Sequence, residues 1–284
     1  MKTLTAQLTL GAIMLVPASM FAQYTEGTIN IPGATTPPTA YGIDANDQVT
    51  GWFGDNLGIH SFLLSQGVLV QIDQPGAVGT WMMGIDSVKG IVGYETTATG
   101  TFGITDAGRR YKQETGGRGK TITGINASGT FVGYDGSGHA FINVGGAYTT
   151  NVVPAPCAAL PSPHTVYING INSLNDFVGY CYGGSATSGF ARVGGVDRAI
   201  SVFGTTGYPT GINDSGTIAG WFLDVSGFAH GFVSSGATTT QFDFQGAHSY
   251  PATQVFAINN KGSVVGTTFD STLGYYVGFY AFAN

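Results

Sequence analysis

The ten-residue stretch Gly-Ile-Asn-Asp-Ser-Gly-Thr-Ile-Ala-Gly at positions 211–220 decides the fold, because its outline recurs along the whole chain. Each copy begins with a small residue, Ile, and Asp or Asn, and reaches a second glycine nine positions after its first residue. Self-similarity at a period of roughly 20–50 residues is the signature of a repeat architecture. The copies begin at Gly42, Gly84, Gly124, Gly170, Gly211 and Ala257, at intervals of 40 to 46 residues.

Each repeat is predicted to form four short strands, A to D. Strand A ends in the Gly-Ile-Asn phrase, a tight turn follows, and strand B covers residues 217–222 in the fifth repeat. Strand C holds a phenylalanine such as Phe232, and strand D covers residues 239–244. β-Branched and aromatic residues bounded by Gly, Asn, Asp and Ser are typical of strands joined by hairpins. Four strands in about 42 residues is the size of one β-propeller blade.

The two ends of the chain predict how the repeats close. Repeat 6 stops at Asn284, just after its strand C. Residues 29–34, Ile-Asn-Ile-Pro-Gly-Ala, match residues 72–77, Ile-Asp-Gln-Pro-Gly-Ala, which end a strand D. We therefore expect the N-terminal strand to complete repeat 6. The predicted fold is an all-β, closed six-bladed β-propeller over residues 23–284, which leaves no long unpaired sheet edge.

The N-terminus is typical of a secretory signal peptide over residues 1–22. Lys2 is followed by an apolar stretch at residues 8–16 and then by small residues, as in such signals. Cleavage after Ala22 is expected, with cleavage after Ala18 as the alternative. No other stretch approaches the roughly 20 apolar residues of a membrane span, so we expect a secreted or periplasmic protein.

The composition limits the classes of partner. The chain has 284 residues, of which only 9% are charged, and its formal net charge is −6. A negative charge argues against binding to the phosphate backbone of nucleic acids. Hydrophobic residues reach 43% and aromatic residues 12%, which is enough to bury a core. We expect a monomer without nucleic acid, membrane span, metal or cofactor.

The repeat unit resembles the bacterial extracellular HAF-repeat family. Residues 138–141 read Gly-His-Ala-Phe, and close variants are His-Ser-Phe at 60–62 and His-Gly-Phe at 230–232. Repeats 2, 4 and 6 lack this histidine. The resemblance covers nearly all of residues 24–284 and implies a secreted, propeller-like protein. It implies no known reaction and no catalytic residues.

The three histidines of these motifs are not predicted to bind a metal. His60, His139 and His230 occupy equivalent positions in alternate repeats. A shared ion would require the nitrogens of all three histidines to lie about 2 Å from it. Equivalent strand C positions in alternate repeats are too far apart for that. We expect each imidazole to hydrogen-bond with the backbone of its own repeat.

The two cysteines are predicted to form a disulfide. Cys157 precedes strand A of repeat 4, and Cys181 ends strand B of the same repeat. Strands A and B form a hairpin, so these positions lie side by side, and a secreted protein meets an oxidising compartment. A redox role is disfavoured because no Cys-x-x-Cys motif is present.

Half of the ten basic residues are crowded into one segment. Residues 116–121, Gly-Gly-Arg-Gly-Lys-Thr, mimic a phosphate-binding loop, but Glu114 stands where that motif needs its first glycine. The segment is interpreted either as a solvated outer strand and loop or as a patch for an anionic glycan or surface polymer. The five residues are Arg109, Arg110, Lys112, Arg118 and Lys120.

Aromatic residues share one register near the end of strand B, and acidic residues follow them. Aromatic faces beside carboxylates suit sugar rings and their hydroxyls. Alternatively, the aromatics pack between blades and the acids solvate the loops. Calcium is a third possibility for the acids, although no Asp-x-Asp-x-Asp loop supports it. The aromatics are Trp52, Tyr94, Tyr134, Tyr180 and Trp221, and the acids are Asp55, Glu95, Asp135, Asp224 and Asp270.

Repetition of these residues favours binding over catalysis, because an enzyme needs one asymmetric cluster of groups. Trp52 and Trp221 flank repeat 6, whose equivalent residue is Thr267. We expect a notch there, with two indoles and the carboxylates of Asp55 and Asp224. The sequence thus predicts a binding or scaffold protein for extracellular carbohydrate. A polysaccharide hydrolase or lyase on the same scaffold, and a purely structural surface protein, remain alternatives.

Overall fold

The computed structural model describes residues 24–106, 111–245 and 252–284. Within these ranges the chain is all-β, apart from one short helix, α1 (Ala155–Ala158). The predicted signal peptide at residues 1–22, together with Arg109 and Arg110, lies outside the described residues. None of the helices in the described ranges is long and apolar enough to cross a membrane.

The strands follow the four-strand pattern of the repeats. Strands A are β2 (Thr36–Ile43), β6 (Gly79–Asp86), β10 (Lys120–Ile125), β14 (His164–Ile171), β18 (Thr205–Ile212) and β22 (Gln254–Ile258). Strands B are β3 (Val49–Asp55), β7 (Gly90–Thr97), β11 (Phe131–Asp135), β15 (Phe177–Gly183), β19 (Ile218–Leu223) and β23 (Val264–Asp270). Strands C are β4 (Gly58–Ser65), β8 (Gly100–Asp106), β12 (Ala140–Val144), β16 (Ala186–Val193), β20 (Ala229–Ser235) and β24 (Tyr275–Ala283). Strands D are β5 (Val68–Ile72), β9 (Tyr111–Arg118), β13 (Ala147–Thr150), β17 (Val196–Val202), β21 (Thr238–Phe242) and, from the N-terminus, β1 (Tyr24–Thr28).

Strands A, B, C and D of each repeat pair antiparallel in that order. Among the described residues the ladders form two four-stranded and two eight-stranded sheets. One four-stranded sheet has the order β1-β24-β23-β22. In it, β1 pairs with β24 from Tyr24 opposite Ala283 to Thr28 opposite Phe279. An N-terminal strand therefore supplies strand D of repeat 6.

Strand A has a one-residue bulge in every repeat, as in the register shift between Ile122 and Gly124. A bulge leaves one residue unpaired and re-aims its side chain. Opposite the bulge lies the second glycine of the phrase. A Cβ on Gly133 would collide with the carbonyl oxygen of Thr121, so a side chain has no room there. The unpaired residues are Tyr41, Met83, Thr123, Asn169, Thr210 and Phe256, and all six line one central cavity.

The first residue of each phrase brings neighbouring strands A into backbone contact. A Cβ built on Gly42 would lie 3.2 Å from the Cα of Gly84, and one on Gly211 would lie 3.0 Å from the Cα of Ala257. Larger side chains would force the repeats apart at this point. The first residues of the six phrases line a smaller cavity of about 70 Å³, which we call the waist.

The asparagine that ends the phrase links successive repeats. Asn126 Oδ1 accepts the backbone N–H groups of Ser128 and Thr130, which fixes its own turn. Its Nδ2 donates to the carbonyl oxygen of Asn172 in the next repeat, at 2.8 Å. The same link runs from Asn172 to Asn213 and from Asn213 to Asn259. The final one, from Asn259 to the Asp44 carbonyl at 2.8 Å, joins repeat 6 to repeat 1.

The core lies between successive repeats. Strand C contributes a fully buried phenylalanine in five of them, namely Phe62, Phe141, Phe190, Phe232 and Phe279. One apolar cluster contains Ile29 and Ile31, from the N-terminal segment, together with Ala40 of repeat 1 and Val265 of repeat 6. The sheet of each repeat is thus covered by the sheet of the neighbouring repeat.

The connection into repeat 4 is fastened to strand B of that repeat. Cys157, in α1, forms a disulfide with Cys181 of β15, and their Cα atoms lie 5.8 Å apart. Both side chains are fully buried. The bond tethers α1 beside the end of the A–B hairpin.

Candidate functional site

One end of the central cavity is lined by aromatic side chains, and we refer to it as the aromatic mouth. Its volume is about 150 Å³. The six unpaired bulge residues form its inner part, and residues near the end of strand B form its rim. None of these described lining residues is charged. They are Tyr41, Met83, Thr123, Tyr134, Asn169, Tyr180, Thr210, Trp221 and Phe256.

The strand B aromatics stand opposite a strand A position that the sequence analysis overlooked. Trp221 pairs with Tyr208 across the hairpin, and their rings stack with centroids 4.1 Å apart and planes at 4°. Tyr94 stacks in the same way on Trp81, at 4.9 Å and 5°. The missed strand A aromatics all lie three residues before the phrase, so the repeat alignment itself could have revealed them.

The tyrosines of repeats 3 and 4 contact the next repeat as well. Tyr134 meets Tyr167 edge-to-face at 4.6 Å, and Tyr180 meets Tyr208 at 5.4 Å. These residues therefore pack between repeats, as the alternative interpretation proposed. They remain half-buried, so part of each ring still faces the aromatic mouth.

Burial moves the pKa values of the mouth phenols further above physiological pH. It raises the pKa of Tyr134 to about 12, with the neighbouring Tyr41 and Tyr167 adding to the shift. Burial likewise raises the pKa of Tyr180 in the mouth, and that of Tyr94, which does not line it. The mouth is consequently an uncharged surface at physiological pH.

Trp52 lies behind this surface. It is half-buried opposite Thr39, and burial raises the pKa of the nearby Tyr41, an effect that Trp52 partly offsets. Tyr41 in turn stacks on Phe256, with centroids 4.8 Å apart and planes at 6°. Trp52 thus supports the side of the mouth formed by repeats 1 and 6.

The structure does not bring the predicted carboxylates to the indoles. Side chains alternate between the two faces of a strand, so Trp52 and Asp55, three residues apart in β3, point to opposite faces. Asp55 Oδ1 accepts the backbone N–H of Leu57 at 2.6 Å, and Asp224 Oδ1 accepts that of Phe228 at 2.9 Å. These acids close their B–C turns. The expected notch of two indoles and two carboxylates is therefore wrong.

Asp135 has the same role in repeat 3. It directly follows Tyr134, so the two side chains point to opposite faces of β11. Its Oδ1 accepts the backbone N–H groups of Ser137 and His139. These hydrogen bonds outweigh the opposing effect of partial burial and lower the pKa of Asp135.

The motif histidines bind carboxylates, and the expectation of backbone partners was wrong. His60 lies between Asp55, 3.0 Å from Nε2, and Asp73, 2.9 Å from Nδ1. Partial burial disfavours the charged ring, but the hydrogen bonds and charges of Asp73 and Asp55 outweigh it and raise the pKa of His60. A second cluster has the same form, with His230 Nδ1 2.9 Å from Asp243.

His139 contacts Asp135 at 3.3 Å. The described residues hold no group of three or more His, Cys, Asp or Glu side chains suited to a metal ion.

The basic segment lies apart from the aromatic mouth. Arg118 is exposed, and its Nη2 donates to the Thr99 carbonyl at 3.4 Å. Lys120 Nζ lies 5.0 Å from the centre of the Tyr148 ring, in a cation–π contact. Neither side chain lines the mouth. The two candidate surfaces are therefore separate.

Comparison with known proteins finds no family profile and no curated protein that matches this chain. Several solved structures resemble it at low identity. Virginiamycin B lyase from Staphylococcus aureus is 13% identical with a TM-score of 0.47, covering 90% of this chain and 88% of its own. The SapL1 lectin, solved with α-methyl fucoside, is 12% identical with a TM-score of 0.49, covering 88% and 94%. A gluconolactonase from Xanthomonas campestris is 14% identical with a TM-score of 0.46, covering 93% and 91%.

Proposed function

We propose that this chain is a secreted, monomeric carbohydrate-binding protein of the HAF-repeat type, folded as a closed six-bladed β-propeller. The aromatic mouth is its binding site. The observation that carries the proposal is the uncharged, aromatic lining of a cavity shared by all six repeats.

Closure is supported by contacts at the seam between repeats 6 and 1. Strand β1 pairs with β24, and Asn259 Nδ2 donates to the Asp44 carbonyl. The disulfide between Cys157 and Cys181 supports folding in an oxidising compartment outside the cytoplasm.

Carbohydrate fits the chemistry of the mouth. Indole and phenol rings offer flat apolar faces to the C–H surface of a sugar, and Asn169, Thr123 and Thr210 offer polar atoms to its hydroxyls. A glycosidase would need two carboxyl groups about 5 to 10 Å apart beside the bond that is cleaved. The described lining holds no carboxylate, so the arrangement favours binding.

Closure is tested by deleting residues 23–36, which removes β1 and the segment that follows it. Ordering a strand costs about 1–2 kcal/mol per residue in backbone entropy unless its partners offset it. Without β1, β24 would keep only β23 as a neighbour. We expect aggregation, or a loss of several kcal/mol in the free energy of unfolding measured with urea. An unchanged urea midpoint would contradict closure.

Binding is tested by changing Trp221 to Ala. A glycan array identifies ligands for the purified mature protein, and isothermal titration measures their affinity. We expect dissociation constants from about millimolar to tens of micromolar, or about −4 to −7 kcal/mol. Trp221→Ala should weaken binding at least tenfold while the fold survives.

Tyr276→Ala is the matched control, since Tyr276 is an exposed aromatic residue that does not line the mouth. It should bind as the wild type does. A stability loss of about 3–5 kcal/mol in Trp221→Ala would identify the indole as a core residue instead. Unchanged glycan affinity in folded Trp221→Ala would reject the mouth as the site and make the segment around Arg118 the better candidate.

A further inference from the structure

The inner part of the aromatic mouth contains an amide that the described residues leave unmatched. Asn169 is the unpaired bulge residue of repeat 4, and its Nδ2 is buried without a hydrogen-bond partner. Leaving a buried donor unsatisfied costs about 1–3 kcal/mol. An unmatched amide beside a cavity therefore indicates a partner that comes from outside the chain.

The six inner lining residues divide the mouth into two halves. Repeats 3, 4 and 5 contribute Thr123, Asn169 and Thr210, whereas repeats 6, 1 and 2 contribute Phe256, Tyr41 and Met83. One half is thus polar and the other apolar. A sugar ring has the matching division, because it carries hydroxyls around its edge and C–H groups on its faces.

The two threonines are set to accept hydrogen bonds. Thr123 Oγ1 donates its proton to the Ile168 carbonyl at 2.7 Å. Thr210 Oγ1 donates to the Val255 carbonyl at 2.8 Å. Their remaining lone pairs can accept from ligand hydroxyls, while the Asn169 amide donates. Such a mixed set of donor and acceptors suits hydroxyl groups, which act as both.

The waist limits how a ligand can enter. A smaller cavity of about 70 Å³ adjoins the mouth, where the phrase glycines of neighbouring strands are in backbone contact. A ligand therefore finds less space there than in the mouth, whose volume is about 150 Å³. The aromatic side is thus the roomier entrance for a ligand that reaches Asn169.

We infer that the mouth binds the terminal, uncharged sugar residue of a glycan, which enters end-on and hydrogen-bonds with Asn169. This inference rests on the proposed carbohydrate-binding function. A uronic acid is disfavoured, because its carboxylate would lose hydration in a cavity whose described lining offers no cation. An internal residue of a polymer is disfavoured because both of its neighbours would have to pass through the walls.

The experiment begins with methyl glycosides of neutral hexoses and the matching methyl uronates, titrated into the mature protein. At least one neutral glycoside should bind, and its uronate should bind at least tenfold more weakly. Two disaccharides of that sugar then test the direction of entry. The disaccharide extended at the anomeric oxygen should bind within about twofold of the methyl glycoside. The disaccharide with a substituent on the non-reducing side should bind at least tenfold more weakly.

Asn169→Ala should weaken binding of the neutral glycoside at least tenfold, with Asn56→Ala as the control at an exposed turn residue. Thermal unfolding of both variants checks that the fold survives. Loss of binding in Trp221→Ala with full binding in Asn169→Ala would overturn end-on entry and leave carbohydrate binding intact. Equal affinity for the two disaccharides would also overturn it. Failure of every glycan to bind the wild-type protein would reject the proposed function itself.

Discussion

Replacing Asp44 with Asn should make the protein more stable. Asn side chains link repeats 3, 4, 5, 6 and 1 in sequence through Nδ2, but repeats 1 and 2 carry Asp44 and Asp86 at this position. A carboxylate has no N–H to donate. Asp44 is only 3% exposed, and its Oδ2 has no hydrogen-bond partner among the described residues.

The substitution changes little else. Asp44 Oδ1 accepts the backbone N–H groups of Asn46 and Gln48 at 2.8 and 2.9 Å, and an asparagine Oδ1 makes the same two bonds elsewhere in the fold. The new Nδ2 would occupy the place of the unmatched oxygen. By analogy with the other repeats, it would donate to the carbonyl of Asp86.

The expected gain is about 1–3 kcal/mol in the free energy of unfolding. Relief of an unsatisfied buried group is worth about 1–3 kcal/mol, and a new neutral hydrogen bond adds about 0.5–1.5 kcal/mol. The expected gain is smaller than the sum of these two contributions because the new amide loses side-chain freedom. The reverse change, Asn259→Asp, removes two bonds of 2.8 Å, to the Asp44 carbonyl and to Asp47 Oδ1. It should cost about 2 kcal/mol or more.

Urea denaturation at neutral pH, followed by tryptophan fluorescence, measures both variants. The midpoints should move in opposite directions while the dependence of the free energy on urea stays constant, since the surface exposed on unfolding is unchanged. A midpoint for Asp44→Asn at or below that of the wild type would refute the reasoning. A neutral result for Asn259→Asp would show that the inter-repeat amide links contribute nothing.

Three further predictions concern stability. Gly133→Ala should cost about 3 kcal/mol or more, because the new Cβ collides with backbone across the hairpin. The control Gly136→Ala, whose nearest neighbour is 3.9 Å away, should stay within about 0.5 kcal/mol in urea titrations. Replacing Cys157 and Cys181 by Ala opens a link between residues 24 apart and should cost about 3 kcal/mol; a loss below about 1 kcal/mol would contradict this. The pKa of His60 is raised in the folded protein. The stabilisation from this residue is therefore complete below its unfolded pKa of about 6.5 and is lost as the pH rises through its folded pKa. His60→Gln should therefore flatten the decline of stability with rising pH, and an unchanged slope would count against the carboxylate cluster.

The strand pattern could be predicted from the sequence because the repeat supplies its own alignment. The Gly-Ile-Asn phrase marks the end of strand A. Strand B begins six or seven residues after the first residue of the phrase, and strand C begins 16 or 18 residues after it. The match between residues 29–34 and residues 72–77 indicated that an N-terminal strand would lie beside strand C of repeat 6. The pairing of β1 with β24 has that arrangement.

The details of the site were harder to predict, for two physical reasons. First, the bulge in strand A turns Tyr41, Asn169 and Phe256 into the cavity, and simple alternation gives no sign of a bulge. Second, proximity in sequence suggested that Trp52 and Asp55 act together, although a spacing of three places them on opposite faces of the strand. The histidine partners were missed because Asp73 and Asp243 directly follow strand D, whereas each histidine lies in strand C.

The pairing of β1 with β24 has a consequence for biosynthesis. Thr25 donates to Asn284 across a separation of 259 residues, so β1 is made long before β24, the strand that it pairs with. Until then β1 presents unpaired backbone groups, and β24 lacks a neighbour on one side. Contacts of such long sequence separation slow folding, and a waiting edge strand invites pairing with another chain. Until β1 and β24 have paired, the folding chain should therefore be prone to associate with other chains through these strands.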